Sequence, residues 1–146
     1  MQYLDLSPWK GFGTGDDVFK AVGWLSKTHA FSTGSIPSDI IEALRLFVKE
    51  SWKPWITAGH HHCEFCSPAG PWTLENTGSS EIWLPAQGVI FVAPTLILHY
   101  VEAHHYKPPD ELLHALMTCP PQFSDEWFAL MKQASYFRNL PGFGPN

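Results

Sequence analysis

Basic residues are scarce in this chain: nine Lys and Arg stand against fourteen Asp and Glu, for a formal net charge of -5. The nine are spread thinly and form no run. A protein that grips nucleic-acid phosphates needs a cationic footprint to displace counterions, so nucleic acid is not an expected partner. Long hydrophobic runs are missing too. A membrane-spanning helix needs roughly 18 or more consecutive apolar residues. The longest candidate, Val89 to Tyr100, is broken by Pro94 and ends in His99 and Tyr100, so no membrane partner is expected. Met1 to Asp5 shows no basic region leading into an apolar one, which argues against a secretory signal. Cysteine is rare and odd in number: of three, Cys63 and Cys66 form a close pair and Cys119 stands apart. That pattern suits metal ligation better than disulfide pairing and points to a reducing, cytoplasmic setting. Internal repeats and low-complexity segments are absent.

What is present is apolar and aromatic. Apolar residues make up 45% of 146, with seven Trp and ten Phe. A chain of this length can bury roughly 68–70% of its unfolded surface, enough for a true core. The expectation is one zinc-binding domain over residues 1–146, with an irregular entry segment at 1–15 and a mobile tail at 138–146.

Helical spacing of Val18, Ala21, Val22 and Leu25 behind Asp16-Asp17 predicts a first helix. Ser38 offers an N-cap and Asp39 a favourable first-turn carboxylate. Ile40, Leu44, Phe47 and Val48 then form an apolar stripe, predicting a helix over roughly 38–51. Trp55 to Ala58 reads as a strand. Glu81–Leu84 and Val89–Val92, separated by Pro85-Ala86-Gln87-Gly88, read as a β-hairpin. Pro94-Thr95 opens a helix to about His104. Pro108-Pro109-Asp110 starts another, with Leu112, Leu113, Leu116 and Met117 inward. Ser124 caps a last helix carrying Trp127, Phe128, Leu130 and Met131. Strands in the middle with helices on both sides in sequence predict an α+β fold: a small antiparallel sheet covered by about five helices.

The chemistry lies in Cys63-Glu64-Phe65-Cys66, a C-x2-C pair whose tight turn can bring two thiolates to one point. His99 and His104 supply H-x4-H, within the spacing of tetrahedral zinc sites. Cys63, Cys66, His99 and His104 are therefore the expected ligands of one structural zinc ion. In a regular helix, residues five apart point about 140° away from each other, so the helix must loosen or end near His104. His105 gives H-x5-H and stays open as a rival. His61 and His62, in the His60–His62 run, stay open as substitutes. An inert buried cysteine pair and a thioredoxin-like redox pair are the alternatives to a metal; the redox pair would need to open a helix in a βαβ unit, and this one precedes a hairpin. Cys119 is expected to pack as a small apolar residue.

Four ligands favour a closed site, whereas a catalytic zinc keeps a position open for water. The sequence lacks H-E-x-x-H, G-x-S-x-G, a P-loop and a dinucleotide fingerprint. His62-Cys63-Glu64 gives only the H-x-E half of a deaminase signature. A zinc hydrolase using Glu102 or Glu64 as general base is one alternative. A small-molecule binder with an aromatic-lined pocket is another.

Several pieces together resemble a bacterial family of small proteins with no established activity. They are Ala21 to Leu25, Thr33-Gly34 with Pro37, Cys63-x-x-Cys66, and Ala93-Pro94 through His99-Tyr100, His104, Tyr106 and Pro108-Pro109. The resemblance runs from about residue 3 to 131. It implies a residue such as Gly where His105 stands, which favours His104 as the ligand, and it implies a bacterial origin. The expected role is that of a zinc-stabilised accessory module, of immunity type or otherwise, whose partner is another protein.

Overall fold

The computed structural model describes residues 4–8, 19–49, 61–66, 77–78, 81–86 and 88–133. The expected Trp55–Ala58 strand and the 138–146 tail lie outside these residues, as does most of the 1–15 entry segment.

A three-stranded sheet organises the chain. Strands β4 (Glu81–Ala86) and β5 (Val89–Pro94) form an antiparallel hairpin, with Trp83 opposite Val92 and Pro85 opposite Ile90. The strands run further than their β-rich cores suggested, and only residues 87 and 88 separate them. Gly88 has a φ of +74°, the left-handed geometry that so short a turn demands. Pro85 is tolerated inside β4 because, among the described residues, β4 is an edge strand. On the other side of β5, strand β1 (Phe19–Ala21) pairs in parallel, with Phe19 opposite Ile90 and Ala21 opposite Val92. Two short strands, β2 (His61–His62) and β3 (Thr77–Gly78), pair antiparallel as a separate ribbon.

Strand β1 corrects the first expected helix. Asp16, Asp17 and Val18 lie outside the described residues, but Phe19–Ala21 is extended, with alternate side chains fully buried. Helix continuation is blocked at Gly23. Its φ is +80°, and a Cβ there would stand 2.9 Å from Ile97 side-chain atoms. The spacing of Ala21, Val22 and Leu25 also fits a short strand followed by a bend, an ambiguity that short apolar runs carry.

The other expected helices form. Helix α1 (Ser38–Lys49) buries Leu44 and Phe47 and half-buries Ile40, Ile41 and Val48. Helix α2 (Ile97–His104) starts two turn residues after β5, so Pro94, expected to open this helix, instead ends the strand. Helix α3 (Asp110–Thr118) starts behind Pro109, with two carboxylates in its first turn, and stops at Cys119, which is extended ahead of Pro120. It buries Leu112, Leu113, Ala115 and Leu116, but Met117 is 49% exposed instead of inward. Met117 is one 100° step past Leu116, beyond the buried arc. Helix α4 (Asp125–Gln133) is capped as expected: the Trp127 N–H donates to Ser124 Oγ at 3.2 Å. The described residues thus hold four helices rather than five, in an α+β arrangement.

Because β-strand side chains alternate, the sheet presents two packed faces. Ile82, Leu84, Phe91 and Ala93 point into one core with α1, α2 and α3. Phe19, Ala21, Trp83, Ile90 and Val92 point into the other, against Trp127 and Met131 of α4. No helix among the described residues is long and apolar enough to cross a membrane.

Candidate metal centre

Cys63 follows β2, and residues 64–66 form a tight turn. That turn aims the backbone N–H groups of Phe65 and Cys66 at the Cys63 sulfur, which is buried. Helix α2 faces the turn with His99 and His104. The four ligating atoms all lie within 4.8 Å of one another. Cys63 Sγ is 3.3 Å from His104 Nε2, and Cys66 Sγ is 3.3 Å from His99 Nε2 and 3.7 Å from His104 Nε2.

These separations suit a tetrahedral ion. Zinc bonds of about 2.3 Å to sulfur and about 2.0–2.1 Å to nitrogen place S and N roughly 3.6 Å apart around one centre. Two soft thiolates with two imidazoles are also the donor set that selects zinc over hard cations, which take oxygen ligands. Burial pushes the Cys63 thiol up from its ordinary pKa, with Cys66 adding to the rise, so a bound cation is what would favour the thiolate there. Burial, and secondarily His105, lowers the His104 pKa, which keeps that imidazole in the neutral form a metal needs.

The helix end solves the five-residue spacing problem. The N–H of His105 reaches back to Tyr100 O, and the N–H of Tyr106 donates to the same oxygen at 3.1 Å. Both bonds close the C-terminal end of α2, so the helix stops at His104 and leaves that side chain within reach of His99 and the two sulfurs. The His99 and His104 rings meet edge-on, with centroids 5.0 Å apart. His105 then takes a φ of +58° and is exposed, turned out of the cluster. In that conformation Gly carries no Cβ penalty, which gives a physical reason for the small residue implied at this position. His60 lies outside the described residues, as do the side chains of His61 and His62.

Aromatic side chains shield the centre. Phe65, inside the C-x2-C turn, packs its ring 5.4 Å from His104, 6.0 Å from Tyr100 and 5.3 Å from Phe31. Tyr100 is buried, which pushes its hydroxyl pKa upward, and the nearby Cys63, Glu64 and Cys66 push the same way. The two carboxylates considered as bases are held elsewhere. Glu64 Oε1 accepts the Lys27 N–H at 3.0 Å and the Ser26 hydroxyl at 3.4 Å. Glu102 Oε2 pairs with the Arg45 guanidinium at 2.8 Å, bridging α2 to α1. Cys119 is half-buried and stands outside the cluster; burial alone lifts its thiol to about 12, the behaviour of an inert apolar side chain.

Sequence reasoning missed one polar tie. The Tyr106 hydroxyl, on a fully buried side chain, donates to Asp5 Oδ2 at 2.7 Å. The other oxygen, Asp5 Oδ1, accepts the Gly23 N–H at 3.0 Å. The partners are 101 residues apart in one case and 18 in the other, so no local pattern could have announced them.

Comparison with known proteins adds a family but no activity. No curated protein and no solved structure matches the chain. Residues 1–117 match a family described as a domain of unknown function (DUF7919), a span that includes all four candidate ligands. Since that match covers most of the 146 residues, the chain belongs to the DUF7919 family.

Proposed function

We propose that this chain is one zinc-binding domain in which Cys63, Cys66, His99 and His104 hold a single structural zinc ion. The observation that carries the reading is the convergence of two sulfurs and two imidazole nitrogens within 4.8 Å, at separations a tetrahedral ion requires. The ion would pin the β2 turn to α2, and through α2 to the core beside β4 and β5. A closed four-ligand site leaves no position for a reacting water. Glu64 and Glu102 are engaged by Lys27 and Arg45. Both points favour stabilisation over hydrolysis. A domain held this way acts through its surface, which supports an accessory role with a protein partner in a reducing compartment.

The test is metal analysis of the purified protein, followed by cobalt substitution. One zinc per chain is expected, and the cobalt form should show a tetrahedral thiolate spectrum that small anions leave unchanged. Cys63→Ser and His104→Ala should each lower the zinc content, whereas His105→Ala should keep it. Full zinc occupancy in Cys63→Ser would remove that residue from the ligand set. An anion-sensitive spectrum would point to an open, reactive site.

A further inference from the structure

We propose that Cys63 and Cys66 form a peroxide-sensitive switch: oxidation joins the two sulfurs in a disulfide, expels the metal ion and frees the C-terminal turn of α2. The proposal rests on the zinc reading above and adds a regulation to that same site.

The geometry of the pair is the first reason. Cys63 and Cys66 present their sulfurs from one tight turn, and the four donor atoms of the cluster lie within 4.8 Å of one another. Sulfurs that converge on a common point need only a small closing movement to bond each other, since a disulfide requires Cβ atoms roughly 3.5–4.5 Å apart. That closing is incompatible with the ion. The thiolate is the metal ligand, and a disulfide sulfur carries no charge, so an oxidised site would offer only His99 and His104. Bond formation and metal binding are therefore alternative uses of the same two atoms.

The two sulfurs differ in access, which is the second reason. Cys63 is completely buried, whereas Cys66 is half-buried. An oxidant arriving from solvent therefore meets Cys66 first. Its thiolate attacks one oxygen of hydrogen peroxide: an S–O bond forms, the O–O bond breaks, and the departing hydroxide takes a proton to become water. The Cys63 thiolate then attacks the sulfenic sulfur of Cys66. An S–S bond forms, the S–O bond breaks, and the second hydroxide also leaves as water after protonation. Together the sulfurs lose two electrons and the peroxide gains two. Cys119 stays out of this exchange, because it stands outside the cluster and burial holds its thiol protonated.

What the ion would hold supplies the third reason. His104 is the last residue of α2, and the ion would tie it to the turn at 63–66. Upstream, Ile97, Tyr100 and Val101 are buried and keep the body of the helix in the core. The Arg45–Glu102 pair near the same end is exposed, where an ion pair adds little. Losing the ion would thus loosen the turn and the end of α2 while the rest of the fold stays. Phe65 would carry the change outward, because its ring packs on His104, Tyr100 and Phe31. Such a device suits a reducing compartment, where other thiols restore the pair once peroxide is gone.

The experiment uses the full-length protein loaded with zinc, and hydrogen peroxide as the probe. Zinc release is followed with a chromogenic chelator, and free thiols by alkylation and mass spectrometry. Zinc should leave in step with two of the three thiols, and mapped peptides should join Cys63 to Cys66. Dithiothreitol with added zinc should restore both readings. Hydrogen exchange should rise at 61–66 and 101–104 and stay unchanged in the β4–β5 hairpin and α4. Cys119→Ser should respond like the unaltered protein. With dimedone present during the exposure, the captured sulfenic acid should lie on Cys66; capture on Cys63 would overturn the order of attack. Zinc and thiols both retained, a disulfide to Cys119, or irreversible sulfinic acid in place of the disulfide would each overturn the switch and leave the zinc reading intact. A protein that takes up no zinc before peroxide is added would overturn the zinc reading, and the switch with it.

Discussion

The two faces of the β1–β5–β4 sheet solve the problem of a core in different ways. On the α4 face, Phe19, Trp83, Ile90, Trp127 and Met131 are completely buried. Their polar atoms are few and satisfied: the Trp127 indole N–H donates to Trp83 O at 3.2 Å, and the Trp24 indole N–H to Val92 O. Such a face is held by apolar burial and needs nothing from outside the chain. The opposite face begins in the same manner with Ile82, Leu84 and Phe91, then runs outward through Tyr100 and Val101 to Cys63. There it ends in sulfurs and imidazoles, groups that gain little by packing and much by sharing a cation. One face closes on itself, and the other ends in four side chains that could share a metal ion.

That contrast can be broken experimentally. The largest effect should come from a strong zinc chelator. Metal binding by small zinc modules is worth about 10–16 kcal/mol, comparable to the whole stability of a domain at about 5–15 kcal/mol. Hydrogen exchange should show the 61–66 turn and α2 losing protection first, with the β4–β5 hairpin and α4 retaining theirs longer. Simultaneous loss everywhere would make the two faces a single cooperative unit. Next in size is Trp127→Ala, which removes the centre of the metal-free face. A cost of about 3–5 kcal/mol is expected from denaturant titration, with zinc content unchanged. Loss of zinc in this variant would show that the α4 face also positions the ligands. The smallest effect belongs to His105→Gly. Relief of the positive φ is partly offset by the greater freedom of Gly in the unfolded chain, so a gain below about 1 kcal/mol is expected, again with zinc retained. A fall in stability would mean that the His105 side chain contributes something its exposed position does not display.

Local patterns in the sequence carried much of this. The apolar stripe of α1, the Ser124 cap of α4 and the β-rich runs of the hairpin all appear where spacing and capping chemistry put them, because each depends on neighbours within a turn or two. The four candidate ligands were legible for a related reason: C-x2-C and H-x4-H are short spacings with few chemical uses. Strand β1 was not legible. Three residues with an apolar-polar-apolar pattern match a helix as well as a strand, and the pairing with Ile90 and Val92 decided between them. Met117 was misplaced because a stripe drawn in sequence does not show how wide a neighbouring surface is.

By itself, then, the amino-acid order determined which segments become α1, α2, α3, α4 and the hairpin, and which donor atoms a metal could use. The tertiary structure decided that Phe19–Ala21 joins the sheet, that α2 ends at His104 with its ring beside that of His99, and that Asp5 meets Tyr106 and Gly23. The division has a physical cause. Helix periodicity, caps and short ligand spacings act over a few bonds, whereas strand partners, helix-end geometry and buried polar ties depend on groups that only the folded chain brings into contact.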